Sequence, residues 1–170
     1  MTTVVVVGMG NEFRRDDGLG PAVIRALADR TPGGHRVDAV VAADAVDLLD
    51  AWSGADLAIV VDLAMGTPAR AGRVRRATSA GVDAVGSIGG HSVDLFTTLE
   101  LARELGRSPG ALVVFTVEGA DVRVGIGLSP PVARAVAEVV AAIDTELENW
   151  EISESARRRV PDPPGPWPAR

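Results

Sequence analysis

The chain has no cysteine among its 170 residues, and aromatic side chains make up only 4% of it. The first absence excludes disulfides, a thiolate nucleophile and any cysteine-based zinc or iron–sulfur site. The second argues against a base-stacking platform for nucleic acid. Positive charge is also short. Acidic residues outnumber basic ones by 23 to 17, for a net charge of −6, so no basic patch dominates and a nucleic-acid partner is not expected. No apolar run approaches the ~20 residues needed to span a bilayer, and no basic-then-apolar leader precedes the first strand. The expectation is a soluble, cytoplasmic protein. With 46% hydrophobic residues, the length suits one globular domain with a substantial core.

Hydrophobic patterning predicts strands alternating with helices. Val4–Val7 reads as a buried parallel strand ended by glycine. Leu19, Val23, Ile24 and Leu27 mark a helix face, with Pro21 in its first turn and Pro32-Gly33-Gly34 as its stop. A second strand is expected over about 36–41. A short helix capped by Asp44 follows, with Val46, Leu48, Leu49 and Trp52 inward. Residues 57–62 form a third strand ending in Asp62, and 72–77 a more exposed strand interleaved with Arg73, Arg75 and Arg76. After a glycine-rich loop over 81–90, His91 opens a helix to about Leu105, with Val93, Phe96, Leu99 and Ala102 inward. Residues 111–117 form another buried strand. Ser129-Pro130 starts a last helix whose core face carries Val132, Val136, Val139, Val140, Ile143 and Leu147. This order predicts an α/β fold with a mostly parallel sheet of about five strands and helices on both faces. The domain is placed at 1–148. Residues 149–170, with Arg157-Arg158-Arg159 and five of the eleven prolines, are expected to form a disordered tail.

Chemistry is expected at the carboxyl ends of parallel strands. Asp16 and Asp17 follow the first strand, Asp62 ends the third, and His91 lies between Gly89-Gly90 and a helix. Two carboxylates and an imidazole suit a borderline divalent cation such as zinc or nickel, with positions open for water or substrate. Each also has a plainer role. Asp16 or Asp17 could cap the first helix, with Asp16 the cap or an exposed neighbour and Asp17 the inward group; Asp62 could be a turn residue and His91 a helix start. His35 lies at the amino end of a strand, the wrong edge for a site, and reads as structural. The segment Gly8-Met9-Gly10-Asn11 lacks the third glycine of a dinucleotide fingerprint, and its carboxylates would repel a pyrophosphate. Gly106-Arg107-Ser108-Pro109-Gly110 leads from helix to strand, the reverse of a nucleophile elbow, and reads as a turn.

In order along the chain, Gly8-x-Gly10-Asn11, Asp16-Asp17-Gly18-x-Gly20, Val61-Asp62, Gly66, Gly72-Arg73-Val74, His91 with Leu95 and Leu99, and Gly125-Ile126-Gly127-Leu128-Ser129-Pro130 resemble the hydrogenase maturation proteases. The likeness spans about Val4 to Leu147. It implies a three-layer α/β/α sandwich around a twisted sheet, and an endopeptidase that trims the C-terminus of a [NiFe]-hydrogenase large-subunit precursor. It maps the metal ligands to Asp17, Asp62 and His91. The resemblance also implies that the metal is nickel supplied by the substrate, with zinc or cadmium as cations that could replace it in vitro. Asp16 is then a candidate outer base, and Asp94, one turn after His91, a candidate partner for the imidazole. The stretch after the second strand, Val41-Ala42-Ala43-Asp44, lacks the glycine usual in the family. The expected state is a monomer whose partner is the precursor, with no membrane association. Two other readings stand beside this one: a hydrolase with its own zinc, and a metal- or precursor-binding assembly factor that does not cut.

Overall fold

The computed structural model describes residues 2–28, 37–66, 69–80 and 95–158. Strands β1 (Val4–Met9), β2 (Val37–Ala42), β3 (Leu57–Ala64), β4 (Val74–Thr78) and β5 (Ala111–Glu118) form one sheet in the order β2-β1-β3-β5-β4. All neighbours pair in parallel except β4, which runs antiparallel along β5 at the edge. The helices are α1 (Leu19–Ala28), α2 (Ala45–Trp52), α3 (Leu95–Glu104) and α4 (Pro130–Arg158).

Strand alternation divides the core in two. Val4, Val6, Ile59, Val61, Val113 and Phe115 face α1 and α4, where they meet Leu19, Val23, Val132, Val139 and Ile143. Val5, Val7, Val60 and Val114 face α2 and α3, where they meet Leu48, Trp52, Leu95 and Leu99. This is the expected three-layer sandwich. β1, β3 and β5 are buried on both faces, and mostly apolar, because each lies between other strands and beneath helices on both sides.

The strands run further than the apolar pattern suggests: β1 continues to Met9, and β3 passes Asp62 to Ala64. Asp44 caps α2 as expected, its Oδ1 accepting from the Val46 and Asp47 amides at 2.9 Å each. Val46 and Phe96, expected in the core, are exposed. The largest correction is at the tail. α4 does not stop at 148 but continues to Arg158. Residues 149–158 contain neither proline nor glycine, and Trp150 packs on the first core, so nothing ends the helix there. No described helix is long and apolar enough to cross a membrane. The stop at 32–34, His35 and the 81–90 loop lie outside the described residues.

Candidate active site

The sheet winds outward in both directions from the boundary between β1 and β3, so the carboxyl ends of these strands flank a topological switch point, where α/β proteins bind ligands. The glycines of the first motif place α1 against this edge. A Cβ on Gly20 would strike the Met9 backbone, and one on Gly8 would strike the Gly20 carbonyl. Gly10 turns the chain at φ 122°, a conformation that side chains disfavour. The Asn11 amide then donates to the Asp17 carbonyl at 3.0 Å and to Asp17 Oδ2 at 3.2 Å, folding the segment into a short 3-10 turn over Arg15–Gly18. Asp17 is thereby held half-buried above the end of β1.

Asp62 lies on the α2–α3 face of β3, opposite Thr116 of β5, and is buried. Its Oδ1 accepts from the adjacent Leu63 amide at 2.8 Å, and among the described residues no cation pairs with it. Burial pushes its carboxyl up to about 7; the Leu63 bond opposes this, and the charge of Asp17 adds to it. Two of the sequence-predicted ligands, Asp17 and Asp62, thus lie at the same edge of the sheet, near enough for the charge of Asp17 to add a minor share to the rise of the Asp62 carboxyl. The third, His91, lies outside the described residues, as does Asp94. Among the described residues no group of three or more His, Asp or Glu side chains is arranged to hold a metal.

Asp16 is neither an exposed neighbour nor a cap of α1. It is fully buried, and its carboxylate accepts from the Ala120 and Asp121 amides at 2.9 and 3.0 Å and from the Ser129 amide and hydroxyl at 2.6 and 2.9 Å. Burial works against its charge, but the bonds from Ser129, Ala120 and Asp121 outweigh it and hold the carboxyl below its ordinary value. A carboxylate engaged in this way is a latch between the 3-10 turn and the loop before α4.

One buried acid escaped the sequence reading. Glu118 ends β5 on the same face as Asp62 and follows an apolar strand in the same manner. That shared pattern was the available signal, yet the outcome differs. Glu118 accepts from the Arg70 amide at 2.9 Å and pairs with the Arg75 guanidinium at 2.8 Å, and the Arg70 bond leads in holding its carboxyl down. Of these two acids at the same edge, one is neutralised internally and the other is left without a cation among the described residues.

These features define a doubly wound α/β protein with an acidic site at its switch point. The sequence profile of the hydrogenase maturation proteases matches residues 36–146, more than half of the chain, and the protein belongs to that endopeptidase family. The match takes in Asp62 and His91 but begins after Asp17. Solved structures share the fold over most of the chain. The hydrogenase maturating endopeptidase HybD from Escherichia coli has a TM-score of 0.76 at 22% identity, over 87% of this chain and 93% of that one. The [NiFe] hydrogenase maturation protease HybD from Thermococcus kodakarensis gives 0.69 at 18%, over 85% and 98%. HycI from Thermococcus kodakarensis KOD1 gives 0.64 at 18%, over 86% and 93%. No curated protein matches the chain.

Proposed function

We propose that the protein removes the C-terminal extension of a [NiFe]-hydrogenase large-subunit precursor and reads the nickel carried by that precursor through Asp17, Asp62 and His91. The observation that carries this reading is Asp62, buried at the switch point and lacking a cation among the described residues, with Asp17 held in the turn that follows the neighbouring strand. An ionised carboxylate there needs a positive partner. Oxygen donors joined by an imidazole suit a divalent ion with positions left for substrate ligands. Nickel bound in the precursor would supply the Lewis acidity that polarises a peptide carbonyl or a water. The protein's part is to hold Asp17 in the turn after β1 and to exclude solvent from Asp62. A carboxylate that resists ionisation in the free enzyme favours a checkpoint, because its charge is stabilised when a loaded partner arrives.

The test is to incubate purified protein with precursor carrying or lacking nickel and follow the length of the precursor. Nickel-loaded precursor should lose its extension, and Asp62→Asn and His91→Ala should slow this by more than about 100-fold, since losing even an outer partner of a ligand costs 10–100-fold. Equal cleavage of nickel-free precursor would overturn the nickel reading. Stable binding with no cleavage under any metal condition would overturn the endopeptidase reading.

A further inference from the structure

Close to the acidic site, two segments run side by side. Arg14 and Gly125 form a parallel bridge, the Gly125 amide donates to the Phe13 carbonyl at 2.9 Å, and the Arg15 and Asp16 amides donate to the Gly125 and Asp121 carbonyls at 2.9 Å each. The Asp16 latch fastens the second segment from beneath. Arg15 is held at φ 49°, a conformation unusual for a side-chain-bearing residue. This well-fastened structure presents apolar side chains to water: Phe13 is 60% exposed, Val124 88% and Ile126 77%. Val124 and Ile126 flank Gly125, whose backbone pairs with Phe13. Exposed hydrophobics grouped in this way mark an interaction surface, whereas scattered ones do not.

The surrounding charge indicates what covers them. On a chain of net charge −6, these segments carry Arg14, Arg15 and Arg123. The nearby surface acids are engaged: Asp121 with Arg123 at 2.8 Å and Arg15 at 4.0 Å, and Glu12 with Arg25 at 2.7 Å. These pairs also occupy Arg123 and Arg25, but the arginines outnumber the surface acids, so the charge around the apolar centre is positive on balance and complements an apolar surface bordered by carboxylates. The first segment continues directly into Asp17, so a protein whose tail reaches the acidic site lies against it. We propose that Phe13, Val124 and Ile126 form the docking surface for the folded body of the precursor, distinct from the residues that act on its tail. This rests on the function proposed above.

The experiment measures KM and kcat on nickel-loaded precursor for the wild type, for Val124→Asp combined with Ile126→Asp, and for Arg123→Glu, with circular dichroism to verify folding. The double variant should raise KM by about tenfold or more, as loss of central apolar anchors does at protein interfaces, while kcat stays within about twofold. Arg123→Glu should raise KM less and weaken its dependence on salt. Val124→Leu combined with Ile126→Leu should retain near wild-type KM. A folded double variant with unchanged KM, or one that loses kcat alone, would overturn the docking surface while leaving the function intact. A wild-type protein that neither binds nor cleaves the precursor would overturn the function, and the docking surface with it.

Discussion

Four donors converge on the Asp16 carboxylate, and three of them are backbone amides with no ready substitute. Its neighbour Asp17 accepts from the Asn11 amide, and its charge adds to the rise of the Asp62 carboxyl. Adjacent acids have thus divided into one that ties two segments of the fold together and one that sits half-buried at the end of β1. The sequence suggests such a division, but it assigns Asp16 a capping or exposed position, because its partners lie more than a hundred residues away in a loop with no periodic signal. Removing this acceptor leaves buried donors without partners, so Asp16→Ala should lose roughly 3 kcal/mol of stability, given 1–3 kcal/mol for each unsatisfied buried group. Urea unfolding measures this directly. A variant as stable as the wild type but unable to cleave precursor would instead make Asp16 a base in the reaction.

The contact between β1 and α1 is a backbone-to-backbone fit. Helix propensity alone predicts that Gly20→Ala, inside α1, stabilises the protein by up to about 1 kcal/mol. The packing predicts the reverse. The added Cβ would meet the Met9 amide nitrogen at 2.6 Å and the Gly8 carbonyl carbon at 2.7 Å, and neither can rotate away. Gly20→Ala should therefore lower stability by about 2 kcal/mol, within the usual range for overpacking, and displace Asp17 enough to weaken precursor cleavage. A rise in the urea midpoint would show that the helix start can shift freely. Element types and order were legible because β-branched runs and helical stripes have different periods. Helix faces were legible only where the spacing was right. Val93, Phe96, Leu99 and Ala102 follow a strict three-residue step, which drifts around a helix of 3.6 residues per turn. The buried stripe is instead Leu95, Thr98, Leu99 and Ala102, and Phe96 points to solvent. Val46 fails for a similar reason, lying at the first turn of α2 and off the face defined by Leu48, Leu49 and Trp52.

Across the whole molecule, carboxyls shift in opposing directions, and their sum sets the response of stability to pH. Asp16, Glu118 and Asp121 have depressed carboxyls, so the unfolded chain takes up more protons than the folded one at low pH, and their stabilisation is lost as pH falls below the ordinary carboxylate range. Asp62 acts in the other sense. Its carboxyl lies at about 7 when folded and near 3.8 when unfolded, so between these values the folded state keeps a proton that the unfolded state releases. Stability therefore falls as pH rises across that window. No single position in the sequence reveals this; an acid after an apolar strand describes Glu118 and Asp62 equally, and the Arg70 amide and the Arg75 and Arg73 guanidiniums around Glu118 separate the two. In metal-free protein, Asp62→Asn keeps the acceptor for the Leu63 amide and removes the titration. Its stability should match the wild type near pH 4 and exceed it by up to roughly 4 kcal/mol above pH 7, because each tenfold difference in proton affinity between the folded and unfolded chain is worth about 1.4 kcal/mol. Thermal unfolding of both proteins from pH 4 to 8 tests this, and nickel(II) added at the upper end should narrow the gap by stabilising the wild type alone. A gap constant with pH would mean that Asp62 ionises without difficulty in the free protein, and that its charge does not depend on a cation brought by the substrate.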